Sequence, residues 1–162
     1  MDMHDFISRY GGVYEHSPWV AELAAGVAAG IDDPKRIAAI MADCVDNADV
    51  DRQLELIRAH PDLADRAQVA GGLTEDSSAE QASAGLDRCS KVEYERFAAL
   101  NEAYKEKFGF PFVMAVRDSS CKEILDVFSK RLQNDYDAEF ETALAEIHKI
   151  ARLRLKAMGP AK

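Results

Sequence analysis

Apolar positions recur at the helical period along nearly the whole chain, and no stretch alternates long enough to make a strand. Ser17-Pro18 predicts a helix over roughly 18 to 29, with Ser17 as cap and Pro18 at the first position. Asp33-Pro34 opens the next, where Ile37, Ile40, Met41, Cys44 and Val45 form one apolar stripe. A short helix around 51 to 59 carries Leu54 and Ile57 and ends at His60-Pro61. Gly71-Gly72 breaks the following segment and leads into Thr74 to Ser78, a polar loop by composition. Ser90 and Glu93 make a capping box for a long helix, with Phe97, Leu100, Tyr104 and Phe108 on one face and Gly109 past its end. Ser120 and Glu123 repeat that signature ahead of Ile124, Leu125, Phe128 and Leu132. Asp135 starts the last and longest helix, which runs to about Met158 and closes at Gly159-Pro160. Phe110 to Val116 fits neither period, being apolar but too short for a helix of its own. The expected fold is all-α, a single-domain bundle of about eight or nine helices over residues 1 to 162, with no repeat and no linker.

Charge narrows the partners. A net charge of -9 argues against duplex DNA or RNA, whose phosphates need a basic footprint, and equally against anionic membrane surfaces. No apolar run approaches the ~18 residues of a membrane span, and the apolar stretch from 20 to 31 lacks a basic leader. Cys44, Cys89 and Cys121 are odd in number and widely separated. They are expected as small buried hydrophobes in a reducing compartment, neither a disulfide framework nor a zinc site. The cytoplasm is the expected location.

Three places could carry chemistry. His60 stands directly before Pro61, which pushes it out of the α region and reads as a helix stop and restart. His60 would then cap the second helix, either as a surface cap or facing a ligand beyond the helix end. Ser77-Ser78-Ala79-Glu80-Gln81 contains two overlapping capping boxes, Ser77 with Glu80 and Ser78 with Gln81. Either would put the Glu80 carboxylate in a first helical turn, where the macrodipole favours its anion. Arg154 continues the stripe Ala143, Ile147, Ile150 on the last helix, so it needs an anion or must snorkel at the helix end. His4, His16 and His148 have no partner at metal-ligand spacing, and there is no glycine-rich phosphate loop, H-E-x-x-H or G-x-S-x-G. Any chemistry is therefore expected to be proton transfer and electrostatics by side chains, with no cofactor and no metal.

Taken together, His60-Pro61-Asp62-Leu63, Ser77-x-x-Glu80-Gln81, Leu100-Asn101-x-x-Tyr104 and Phe108-Gly109-Phe110-Pro111-Phe112-Val113 resemble OHCU (2-oxo-4-hydroxy-4-carboxy-5-ureidoimidazoline) decarboxylase. Tyr14-Glu15-x-Ser17-Pro18-Trp19, Arg131-Leu132-x-Asn134-Asp135, Glu139 and Lys149-Ile150-Ala151-x-Leu153-Arg154-Leu155 look like the same family. The resemblance spans about residues 10 to 156 in order. It implies a cofactor-free, all-helical enzyme of urate breakdown that converts the small ureido-imidazoline to (S)-allantoin with loss of carbon dioxide. It implies His60 as the proton donor and Glu80 as the essential glutamate. Pro61, Ser77, Gln81 and Arg154 would contact substrate, as would the backbone of Phe112, Val113, Met114, Ala115 and Val116. A homodimer is plausible by the same resemblance. With substrate bound, nearby anions are expected to make His60 a usable acid near neutral pH. Two alternatives stay open on the residues: a non-catalytic helical interaction domain, and a hydrolase of a related ureide.

Overall fold

The computed structural model describes residues 2–28, 30–65 and 73–160, and among them every regular element is a helix. These are α1 (Met3–Tyr10), α2 (Trp19–Ala28), α3 (Pro34–Asp46), α4 (Val50–Arg58), α5 (Glu75–Ser83), α6 (Lys91–Phe108), α7 (Cys121–Arg131) and α8 (Tyr136–Met158). The all-α expectation holds. The chain divides into two compact units, one of Met1–His60 with Leu144–Lys162 and one of Pro61–Ala143. The break predicted at Gly71-Gly72 lies outside the described residues.

The first unit contains α1 to α4 and the C-terminal part of α8. The helix α1 is absent from the sequence reading; Asp2 caps it by accepting from the Asp5 N–H at 2.8 Å, and Phe6 and Tyr10 are its buried positions. Met3, Phe6, Ile7 and Tyr10 fall at i, i+3, i+4 and i+7, so the helical period is present in this short stretch. In α2, Val20, Ala21, Ala24, Ala25 and Ala28 go inward. Small residues let α2 approach α1 and α3, which both pack on it. In α3 the buried stripe is Ile37, Ala38, Met41 and Val45, with Ile40 and Cys44 half-covered at its margin. On α8, Ala143, Ile147, Ile150 and Arg154 are all buried, as their spacing predicts.

The second unit holds α5, α6, α7 and the first turns of α8. Ser90 and Glu93 form the predicted capping box of α6, and Gly109 ends that helix in the left-handed region at φ 75°. A residue with a Cβ is strained there, so the glycine licenses the turn. Beyond it, residues 110–116 form neither helix nor strand. They are apolar because they are core: Phe112 stacks on Phe128 at 3.9 Å between ring centroids, and Tyr104 meets Phe110, Phe112 and Phe128 edge-on.

Two expectations are corrected here. Glu75 to Ser78 are not loop but the first residues of α5, and Thr74 is its N-cap, with its hydroxyl accepting from the Ser77 N–H at 3.2 Å. And Cys89 is bonded to Cys121 across 32 positions, leaving Cys44 as the free thiol. Sequence spacing gave no hint of the pair because tertiary packing, not a local motif, brings the loop after α5 to the first residue of α7.

Candidate active site

In the first unit the centre is His60. It follows Ala59, the C-cap of α4, and its own N–H still donates to the Ile57 carbonyl. Residues 61–65 form no helix, so His60 is not the N-cap that His60-Pro61 suggests. Its ring turns back along α4 instead, with Nδ1 3.0 Å from the Leu56 carbonyl. A carbonyl only accepts, so Nδ1 carries the hydrogen, and Nε2 of the neutral ring keeps its lone pair. Burial lowers the His60 pKa to about 4; the Leu56 bond and Glu15 oppose the shift, while Arg154 and His16 reinforce it. Desolvation is thus what disfavours the imidazolium in the unliganded chain.

Arg154 is 4% exposed and donates from Nη2 to Glu15 Oε2 at 2.9 Å and from Nη1 to the Val13 carbonyl at 3.3 Å. The anion demanded by its place on the apolar stripe is thus supplied from within the chain. Glu15 is itself 2% exposed. It stands among the family-like residues Tyr14 to Trp19 but was not singled out for a role, because a loop has no period to reveal an inward carboxylate. Its neighbour His16 adopts φ 48°, a left-handed conformation that is uncommon for a residue with a side chain. Around this pair, Tyr14 Oη lies 2.8 Å from His148 Nδ1, and Asp46 Oδ1 lies 3.0 Å from His148 Nε2. Burial and Asp46 raise the Tyr14 pKa, so its phenol stays protonated.

In the second unit, α5 presents Ser77, Glu80 and Gln81 at i, i+3 and i+4, which is one helix face. Since Thr74 is the cap, Ser77 and Glu80 lie inside the helix and make no capping box; Glu80 falls in the second turn, where the macrodipole does little for it. A cation does more: Arg117 Nη2 is 3.9 Å from Glu80 Oε2, whose side chain is 12% exposed. Gln81 divides its amide between two backbone groups of the loop after Pro61. Nε2 donates to the Asp62 carbonyl at 3.3 Å, and Oε1 accepts from the Ala64 N–H at 3.1 Å. Ala64 sits at φ 55°, so the clamp holds a strained turn. Pro61 is half-buried in the same loop. Of the predicted backbone segment, Phe112, Val113, Ala115 and Val116 are buried and Met114 is half-covered. Arg117, the residue right after it, went unnoticed in the sequence.

The structure therefore places His60 and Arg154 in one unit, where Glu15 binds Arg154 and both act electrostatically on His60, and gathers Ser77, Glu80 and Gln81 in the other, with Glu80 paired to the arginine that follows the 112–116 segment. Each group supplies hydrogen-bonding and proton-transfer chemistry. Among the described residues one trio has metal-ligand proximity, Cys89, Glu93 and Cys121. The two sulfurs are bonded to each other and Glu93 caps α6, so the donor set is already used.

A family model described as OHCU decarboxylase matches residues 1–156. A 2-oxo-4-hydroxy-4-carboxy-5-ureidoimidazoline decarboxylase of Haloferax volcanii is 44% identical over 96% of this chain and 89% of its own length. One of the same name from Halalkalicoccus jeotgali is 43% identical over 97% and 86%. Among solved structures, one titled as (S)-allantoin synthase superposes with a TM-score of 0.77 and 35% identity, over 98% of this chain and 51% of that one. The chain belongs to the OHCU decarboxylase family.

Proposed function

We propose that this protein decarboxylates 2-oxo-4-hydroxy-4-carboxy-5-ureidoimidazoline to (S)-allantoin in urate degradation. Membership of the family over nearly the full chain is the observation that carries this reading. The protein's own residues supply a consistent chemistry. Loss of carbon dioxide leaves an electron pair on ring carbon C4, which shifts toward C5 and the adjoining imine nitrogen. Protonation at nitrogen, with the proton drawn from solvent, gives an enol; moving the 4-hydroxyl hydrogen to C5 then makes the C4 carbonyl and the stereocentre. No electron sink beyond the ring is needed.

His60 is the proposed proton carrier. With Nδ1 tied to Leu56, Nε2 is the nitrogen that exchanges protons, and burial leaves it unprotonated in the unliganded chain. It thus takes a proton from bound substrate before delivering one to a single ring face. Arg154 offers a cation for the departing carboxylate, already oriented by Glu15. Glu80 accepts from the 4-hydroxyl or the ureido N–H and fixes orientation, with Ser77, Gln81, Pro61 and the backbone of 112–116 completing the contacts. Freshly generated substrate tests the reading: its decay should accelerate, with carbon dioxide released and optically active product formed. Decay at the spontaneous rate would leave a helical interaction domain; faster decay without carbon dioxide would indicate a ureide hydrolase. His60→Asn and Glu80→Gln should each lose ~10²-fold or more in kcat, and near-normal turnover in either removes its assigned role.

A homodimer accompanies this reading by the family resemblance, and a cytoplasmic location by the composition and cysteine usage of the chain. No helix among the described residues is long and apolar enough to cross a membrane. In a reducing cytoplasm the Cys89–Cys121 pair would be expected as thiols. Sedimentation and alkylation of intact cells address these two points.

A further inference from the structure

Arg131, Asn134 and Glu139 belong to the family-like pattern, yet the catalytic reading gives them nothing to do. All three meet in the second unit. Glu139 is fully buried and takes three hydrogen bonds: from Tyr104 Oη at 2.6 Å, Arg131 Nε at 2.9 Å and Asn134 Nδ2 at 3.0 Å. Arg131 lies 4.4 Å over the Phe112 ring and sends Nη1 to the Val113 carbonyl at 2.6 Å. Its Nη2 is buried without a partner, so the guanidinium is not placed to maximise its own bonding. It is placed to hold one carbonyl.

That carbonyl shares a planar trans peptide with the Met114 N–H, since there is no cis bond among the described residues. In a trans peptide the C=O and N–H point in opposite directions. Gripping Val113 O from the Arg131 side therefore aims the Met114 N–H away from Arg131. This N–H, like those of Phe112, Val113 and Val116, finds no acceptor among the described residues, and it alone of the four shares a peptide with the carbonyl that Arg131 holds. Backbone donors in covered positions are nearly always paired, so an open one is a ready contact for a ligand oxygen.

We infer that Arg131 is a positioning residue: by holding the Val113 carbonyl it presents the Met114 N–H to an oxygen of the substrate ring or ureido group. The inference rests on the proposed decarboxylase activity and names, within the 112–116 backbone, the contact that Arg131 sets. Glu139, clamped by Tyr104 and Asn134, fixes the guanidinium in turn.

The test uses protein labelled with 15N-methionine, whose five methionines give a simple amide spectrum, with the Met114 peak assigned by its loss in Met114→Leu. Adding (S)-allantoin to the wild type should move the Met114 amide downfield. Arg131→Lys keeps a cation for Glu139 but loses the fork that reaches both acceptors. It should abolish most of that movement and lower kcat about 10²-fold, the scale of a misplaced contact, with less change in KM. Tyr104→Phe keeps the ring and drops only the hydroxyl held by Glu139, so it serves as the gentler variant and should lower kcat about tenfold with a reduced Met114 response. Wild-type kcat and a wild-type Met114 response in both variants would overturn the inference. So would a wild-type Met114 amide that ignores allantoin while turnover is normal. Absence of turnover in the wild type would instead overturn the activity on which it rests.

Discussion

His60 stores a pH-dependent contribution to stability as well as a proton path. Its folded pKa of about 4 lies below the ordinary 6.5, so the unfolded chain binds a proton first as pH falls. The stabilisation it gives is complete above about pH 6.5 and is lost as pH drops through about 4. At pH 5 the loss should be about 2 kcal/mol, read as a lower urea midpoint than at pH 7.5. His60→Asn should show a shallower dependence over that window; an unchanged slope would place the buried titration elsewhere. The residues differed in how plainly the sequence announced them. Arg154 was partly legible, because an arginine at i+11 on an apolar stripe must either find an anion or snorkel, and the structure decides for the anion. That the anion is Glu15 was not legible, since it comes from a loop at the far end of the chain. Nor was the direction of the His60 ring, which depends on where its Nδ1 finds a carbonyl.

At the scale of elements, α5 is the weakest by sequence. Glu75–Ser83 contains no large apolar residue, and Thr74, Ser77 and Ser78 all compete as caps. With no period to fix its start, only the observed hydrogen bond from Ser77 N–H to Thr74 decides. Thr74→Ala should therefore cost about 1 kcal/mol, whereas Ser78→Ala, at an exposed helical position, should stay within about 0.5 kcal/mol. Chemical denaturation of the two variants side by side checks this, and the reverse ranking would restore the cap at Ser78. The longer helices were legible for the opposite reason. Both α6 and α8 sustain an apolar stripe over many turns and carry a cap at the front and a glycine behind. Residues 110–116 could be recognised only as an exception to helix, because what they pack on lies elsewhere in the sequence.

For the whole molecule, the Cys89–Cys121 bond is the covalent constraint that sequence spacing hid. Closing a loop of 32 positions should stabilise by about 3 to 4 kcal/mol through the unfolded chain. Cys89→Ser/Cys121→Ser should then melt roughly 10 °C lower than the oxidised protein, and reductant should bring the wild type down to the same value. A melting point indifferent to reductant would mean the thiols are not joined in solution. The arrangement of the chain has a further bearing on its manufacture. Pro61–Ala143 is contiguous and can condense as soon as it leaves the ribosome, but Met1–His60 needs the last stretch from Leu144 onward. At ordinary translation speeds that wait is on the order of ten seconds, during which Glu15 is without the guanidinium it will be buried beside. The newborn first sixty residues thus stay an incomplete unit until the final helix emerges.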